Sequence, residues 1–100
     1  MNEIYDSAEQ DRLLAAFSEM LAAVARDGGR KRAAGTKEPW WKDDTHLEAI
    51  FSHLSAWFHG SNADKDSGAH PFVHLAFRAL AIAWQDTHGK VPPPGVEHER

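Results

Sequence analysis

The chain has no cysteine among its 100 residues, which excludes disulfide bonds and thiolate metal sites. Any bound metal must therefore use nitrogen and oxygen ligands. No apolar run approaches the roughly 20 residues that a membrane span needs, and the first residues lack the basic and apolar regions of a signal peptide. These absences predict an unexported protein of a reducing cytosol, with no membrane insertion.

Positive charge is also scarce, because the formal net charge is −4 at pH 7. Proteins that bind duplex nucleic acid normally need a strongly basic surface, so the charge argues against this function. The basic residues are unevenly spread, however. Six of the 11 fall in one short segment: Arg26, Arg30, Lys31, Arg32, Lys37 and Lys42. This concentration leaves a local anion site open.

Hydrophobic periodicity predicts an all-α protein. We expect a compact three-helix domain over residues 1–90, with an extended proline-rich tail over residues 91–100. The predicted helices cover about 8–27, 46–59 and 70–87, and a long loop joins the first two. With 42% apolar residues, the chain has enough hydrophobic area for one domain.

Residues that commonly cap helices mark the predicted ends. The first helix is predicted to begin with a capping box of Ser7 and Gln10 and to end at Gly28-Gly29. The second is predicted to begin with a capping box of Thr45 and Glu48 and to end at Gly60. The long loop is therefore predicted to run from Gly28 to Asp44, anchored by its tryptophans. Pro71 suits the first turn of helix three, with Ser67 or His70 near the cap.

Each predicted helix carries an apolar face. On helix one the predicted core face is Leu13, Phe17, Met20, Leu21 and Val24. On helix two the predicted arc is Leu47, Ile50, Phe51, Leu54, Trp57 and Phe58. Helix three is apolar over more than half its circumference, which favours a central position. Its row of Ala76, Ala79 and Ala83 permits close approach of another helix and predicts a homo-oligomer.

Imidazole and carboxylate groups concentrate around the connection between helices two and three. They are His53, Asp64, Asp66, His70 and His74. This mixture of ligands suits a divalent metal, and we expect Mg²⁺ or Mn²⁺ on His53, Asp66 and His74. In one alternative these residues have ordinary structural roles: Asp64 and Asp66 cap the turn, His74 faces water and His53 makes a hydrogen bond at the edge of the core. A ligand site without a metal is the other alternative.

A nucleotide site is predicted from basic and aromatic residues. Arg30 and Lys31 follow a glycine pair whose backbone N–H groups can approach an anion, and with Arg78 they are the predicted phosphate ligands. Trp57 is predicted to stack on a base, since it lies one turn from His53. A solvated charge run and a core tryptophan are the alternatives. No Walker, HExxH or nucleophile-elbow motif occurs, so no catalytic residue is assigned.

The same segments carry a family resemblance. Its most specific residues are His53-Leu54-Ser55-Ala56-Trp57, Gly60, Asp64 or Asp66, Ser67-Gly68, His70 and His74. This arrangement resembles the phage-type domain named after the N-terminal part of dATP/dGTP diphosphohydrolases, over most of residues 10–87. The resemblance implies an all-α phage or prophage protein of deoxynucleotide metabolism in a bacterial cytosol.

Several functions stay open from the sequence. The first is binding of purine deoxynucleoside triphosphates with a divalent metal, with hydrolysis to monophosphate and pyrophosphate as the candidate reaction. The second is a noncatalytic homodimeric module that binds a host or phage protein. A third is single-stranded nucleic-acid binding through the tryptophans and basic residues of the loop. Whether the chain is an enzyme is undecided at this level.

Overall fold

The computed structural model describes residues 7–35, 38–65 and 67–95. Within these ranges the chain forms three helices and no strand: α1 (Ser7–Ala34), α2 (His46–Phe58) and α3 (Pro71–His88). The all-α prediction is confirmed. The third helix packs on both others, whereas α1 and α2 do not pack on each other. None of the three helices combines the length and apolar character that crossing a membrane requires.

The starts of α2 and α3 fall within one residue of their predicted positions. His70 caps α3, because its Nδ1 accepts a hydrogen bond from the Phe72 N–H at 3.0 Å. Thr45 precedes α2, but its side chain makes no cap hydrogen bond. It donates instead to Asp43 Oδ1 at 2.6 Å. The predicted capping box with Glu48 is therefore wrong, because a nearby carboxylate is the stronger acceptor.

The end of α1 differs from the prediction. The helix runs through Gly28-Gly29 to Ala34, so both the predicted stop and the predicted start of the loop are wrong. Neither glycine has a positive φ, so neither adopts the left-handed conformation that ends helices. The extra turns bring Arg32 to Asp43, with Nη1 donating to Oδ2 at 2.7 Å. This contact between distant residues outweighs the weak helix propensity of the glycines.

Replacing Gly29 with Ala tests the continued helix. We expect the free energy of unfolding to rise by about 0.5–1 kcal/mol, since Ala is the better helix former and an added Cβ would meet nothing within 4 Å. Gly60→Ala is the control and should lose stability, because Gly60 has a φ of +101°. Urea unfolding measures both variants, and a loss for Gly29→Ala would contradict the helical assignment.

The buried face of α2 is not its large apolar arc. His46 is buried, and four further residues are half-buried on the same side of the helix: Ala49, Ile50, His53 and Ala56. The largest members of the predicted arc are exposed to solvent: Leu47, Phe51, Leu54, Trp57 and Phe58. The helix is turned by about 100° from the predicted orientation. The predicted core arc is therefore wrong, because the side of α2 that carries the imidazoles packs against α3.

On the first half of α1, too, large apolar residues of the predicted core face are exposed to solvent. Val24 is buried and Leu21 is half-buried, but Leu13, Phe17 and Met20 are exposed, contrary to the predicted core face. Every residue from 7 to 20 is exposed. A helix of 28 residues is about 42 Å long, so α1 extends well beyond the region in which it packs on α3.

Aromatic residues hold the segments outside the helices. The loop before α2 places Trp41 in the core, and the ring of Trp40 meets those of Phe77 and Trp84 edge-on at 6.2 and 6.3 Å. After α3, Trp84 Nε1 donates to the Val91 carbonyl at 2.9 Å. Residues 91–93 have no regular secondary structure, and residues 96–100 of the predicted tail lie outside the described residues.

Candidate functional site

A buried charge network joins α1, the loop before α2, and α3. Asp43 is only 5% exposed, and its Oδ2 accepts hydrogen bonds from Arg32 at 2.7 Å and from Arg78 at 3.5 Å. Its Oδ1 accepts from the Thr45 N–H and hydroxyl. Burial by itself raises the pKa of Asp43, but the bonds from Thr45 and Arg32 outweigh burial and hold that pKa far below its usual value. Asp43 is therefore an ion that binds two arginines.

His46 holds Arg78 from a second side. Its Nε2–H donates to the Trp40 carbonyl at 2.7 Å, and its Nδ1 accepts from Arg78 Nη1 at 3.0 Å. A carbonyl can only accept and a guanidinium can only donate, so these two partners fix a neutral tautomer. Burial lowers the pKa of His46, and the charge of Arg78 lowers it further, against the effect of the bond to Trp40. The guanidinium of Arg78 is thus fixed between a carboxylate and a neutral imidazole.

Gln85 ties the loop to α3. Its Nε2 lies 3.3, 3.2 and 2.9 Å from the carbonyl oxygens of Trp40, Trp41 and Asp43. These carbonyl oxygens lie in an irregular segment, so they have no N–H group four residues further along a helix from which to accept a hydrogen bond. The sequence signal for this role is that Gln85 is a polar residue on a mostly apolar helix.

A polar cavity of about 200 Å³ lies beside the network and is lined by residues of all three helices. It is lined by Val24, Asp27, Gly28, Lys31, Arg32, His53, Asp64, His74, Phe77 and Arg78. Ligand pockets for whole small molecules usually measure about 300–1,000 Å³. This polar cavity therefore suits one charged part of a ligand, such as a phosphate group.

Four of the residues predicted for the site line this polar cavity: Lys31, His53, His74 and Arg78. Residues from α1, α2 and α3, far apart in sequence, thus meet around one space. The predicted metal ligand Asp66 lies outside the described residues.

Two other predicted residues lie elsewhere. Arg30 does not line the polar cavity, and its largely exposed side chain reaches Asp27 at 3.4 Å. Trp57 also lies outside the lining, with its ring 4.9 Å from that of Phe72. Their predicted contacts with a nucleotide stay predictions.

The imidazoles of His53 and His74 stack in the polar cavity, with ring centroids 4.8 Å apart. Ser67 Oγ lies 2.7 Å from His74 Nε2, and Asp64 Oδ2 lies 4.0 Å from the same nitrogen. Burial lowers the pKa of His53, and nearby His74 and Arg78 lower it further. Within residues 7–35, 38–65 and 67–95, no three His, Asp or Glu side chains are arranged to hold a metal ion.

The lowered pKa of His46 sets an expected pH dependence of stability. Its folded pKa lies below its unfolded value of about 6.5, so the unfolded chain takes up the proton first. The stability contributed by neutral His46 is therefore complete above about pH 6.5 and is lost as the pH falls below it. Urea unfolding between about pH 7.5 and pH 5 should show falling stability. The His46→Gln variant should show a flatter slope, and an unchanged slope would contradict the assigned neutral state.

The structure defines a class of small three-helix domain with a polar cavity where its helices meet. A family model described as dATP/dGTP diphosphohydrolase, N-terminal, matches residues 6–91. The chain belongs to this family, as the residues around His53 and His74 predicted. Its context is deoxynucleotide metabolism. Comparisons with curated proteins and with solved structures find no match.

Proposed function

We propose that this domain binds purine deoxynucleoside triphosphates, dATP or dGTP, by their phosphates. The observation that carries the proposal is the polar cavity, which gathers Lys31, Arg78 and two imidazoles in a member of this family. Arg78 is already oriented by Asp43 and His46. A cation held in place beforehand loses little side-chain entropy when an anion binds.

The charge balance favours binding together with a divalent ion. Three basic side chains line the polar cavity against two carboxylates, and Asp43 lies directly behind them. The protein therefore offers little net positive charge to a strongly anionic triphosphate. A divalent ion such as Mg²⁺ would offset that charge and draw the phosphate oxygens together.

Asp64 and His74 fit the protein side of such a complex. Asp64 Oδ2 and His74 Nε2 are 4.0 Å apart, so one ion with bonds of about 2 Å could reach both. Mg²⁺ commonly takes only one or two protein ligands and completes its shell with phosphates and water. We propose Asp64 and His74 as the ligands, with Asp66 as a further candidate from sequence.

Hydrolysis of the bound triphosphate would take place at the same polar cavity. Water attacking the α-phosphorus of a bound triphosphate would release pyrophosphate and leave the monophosphate. Neutral His53 is the candidate to accept the proton of that water, because its lowered pKa leaves the imidazole unprotonated. Phe77 also lines the polar cavity, so its aromatic ring would lie beside the phosphates of a bound nucleotide.

Calorimetric titration with dATP, dGTP and dCTP in the presence of Mg²⁺ tests the proposal. Lys31→Ala should weaken binding of the purine nucleotides about tenfold, because a charge-assisted hydrogen bond to phosphate is lost. Arg26→Ala is the matched control, since Arg26 lies on the opposite side of α1 and outside the cavity lining. Its affinity should equal that of the wild type.

Two results would contradict the proposal. One is that the wild-type protein binds no deoxynucleotide with Mg²⁺. The other is that Lys31→Ala and Arg26→Ala weaken binding equally, which would indicate a diffuse electrostatic effect. Chromatography of the same mixtures for monophosphate and pyrophosphate decides whether binding leads to turnover.

The second candidate function is a noncatalytic interaction module. The exposed apolar side chains of α1 and α2 favour it, since monomers rarely expose large contiguous apolar surface. In that case, replacing both His53 and His74 with Ala should leave partner capture intact. The two functions use different parts of the molecule and are separable by these variants.

A further inference from the structure

Two apolar stripes are uncovered on the part of the chain that the structure describes. The α1 stripe consists of Leu13, Phe17 and Met20, and the α2 stripe of Leu47, Phe51, Leu54 and Phe58. Their side chains are between 41% and 78% exposed. Along each stripe the apolar residues follow one another at intervals of four and three residues. This is the spacing of residues that pack against a facing helix.

The stripes are connected by aromatic residues into one apolar face. The Trp57 ring on α2 packs against the Phe72 ring on α3 at 4.9 Å. Phe72 in turn lines an apolar groove of about 460 Å³ together with Phe17 and Met20 of α1. The apolar face therefore consists of the two stripes with Trp57 and Phe72, and it includes no residue of the polar cavity.

We propose that a second copy of this chain covers the apolar face, with the two copies related by a two-fold axis. The apolar face is large enough for a stable dimer interface. The face contains nine large side chains, and each half-exposed one offers roughly 100 Å². A standard protein interface takes about 800 Å² from each partner. A monomer would leave all of this surface in water, which soluble monomers rarely do.

The α2 stripe is self-complementary about a two-fold axis. If two α2 helices pack antiparallel, Phe51 faces Leu54 of the second copy, and Leu47 faces its Phe58. Each layer then pairs a phenylalanine with a leucine, which is the alternation of large and smaller side chains that fills an interface. Glu48 is the only acidic or basic residue of α2 apart from its histidines. Antiparallel packing keeps the two Glu48 carboxylates about 14 Å apart, whereas parallel packing would bring them together.

The first half of α1 supplies an independent reason for a covering partner. Residues 7–20 form nearly four helical turns, and every residue in them is exposed. Isolated helices of about 12–15 residues are marginally stable in water, and packing of an apolar stripe normally supplies the missing stability. The α1 stripe borders the groove of its own copy, so reciprocal packing about the axis would cover both stripes.

Sedimentation analysis over a range of protein concentrations tests the proposal. The wild type should be a dimer. Phe51→Glu in the α2 stripe and Phe17→Glu in the α1 stripe should each weaken dimerisation at least tenfold, because each would bury a carboxylate. Leu80→Glu is the matched control, since Leu80 is exposed to a similar degree but lies outside the apolar face. This variant should remain a dimer.

Hydrogen exchange of the wild type gives a second readout that needs no variant to fold. Protection of the α1 and α2 stripes should fall as the protein is diluted below its dimerisation constant. A wild type that is monomeric at all concentrations would overturn the proposal. So would a dimer that Leu80→Glu or a bulky residue at Ala79 dissociates while Phe51→Glu does not. That second result would assign assembly to the alanine row of α3 instead.

Discussion

Replacing Asp43 with Ala is expected to lower the free energy of unfolding by about 3–5 kcal/mol, because two buried arginines would lose their shared anion. The side chains of Arg32 and Arg78 are only 10% and 17% exposed, so water cannot fully replace the carboxylate. Thr45 would lose both of its bonds to Asp43 as well. Small domains are stable by only about 5–15 kcal/mol. The variant should therefore lie close to its unfolding transition at room temperature.

Asp44→Ala is the matched control for this experiment. Asp44 is the neighbouring residue and also pairs with a cation, Lys90, but its side chain is 80% exposed. Exposed ion pairs usually contribute no more than about 1 kcal/mol. Urea unfolding of both variants should give a large loss for Asp43 and a small one for Asp44. Equal losses would mean that the charge network does not organise the fold.

Replacing Gln85 with Leu is expected to cost about 1–3 kcal/mol, because the carbonyl groups of Trp41 and Asp43 would lose the Gln85 amide as donor. The Trp40 carbonyl would keep its bond from His46. The side-chain amide contacts three loop carbonyls and, together with the ion pair between Arg78 and Asp43, links α3 to this loop. Gln85→Glu should be more destabilising than Gln85→Leu, because a carboxylate would face those carbonyl oxygens instead of a donor.

Thr87→Val serves as the comparison for Gln85. The Thr87 hydroxyl bonds only to groups near it in sequence, including the Ala83 carbonyl, and it is exposed. Its loss should change the free energy of unfolding by no more than about 0.5 kcal/mol. If Gln85→Leu proved as mild as Thr87→Val under urea, the tryptophans and the ion pairs of Asp43 would hold the loop without help from Gln85.

The sequence predicted those features of the fold that depend on nearby residues. The start of α3 was recognisable because the cap residue His70 and Pro71 lie beside it. The start of α2 was placed correctly, although Thr45 makes no cap hydrogen bond there. The end of α1 was not, since the helix passes Gly28-Gly29 to reach a contact with Asp43 far along the chain. Local propensity gave no sign of that partner.

The candidate site likewise combines features that the sequence predicted with features that it did not. The sequence identified Lys31 as a candidate phosphate ligand and His53 and His74 as candidate metal ligands, and the structure brings these residues to one polar cavity. The supporting network was missed. Arg78 and His46 are 32 positions apart, and their pairing depends on how α2 and α3 pack. Such an orientation cannot be read from the helix pattern of either segment.

The apolar arc of α2 illustrates a further limit. The sequence placed Phe51 and Phe58 correctly on one apolar face, but it also included Ile50, which lies on the half-buried side. It could not indicate whether the partner of that face lies in the same chain. Periodicity reports that a face is apolar, whereas the structure reports which side the chain itself covers.

Stability and binding are connected through Arg78 in this account. The guanidinium contacts the buried Asp43 and His46 and also borders the polar cavity. Changes that free Arg78 from the network should therefore alter nucleotide affinity as well as stability. The network is the reason that a cation is already in place before any nucleotide arrives.

A crystal structure of the protein grown with Mn²⁺ and a nonhydrolysable dGTP analogue tests the central claim most directly. We expect Mn²⁺ density about 2 Å from Asp64 and His74, with phosphate oxygens against Lys31 and Arg78. Nucleotide density that lies away from the polar cavity, or an empty polar cavity at a saturating concentration of the analogue, would contradict it.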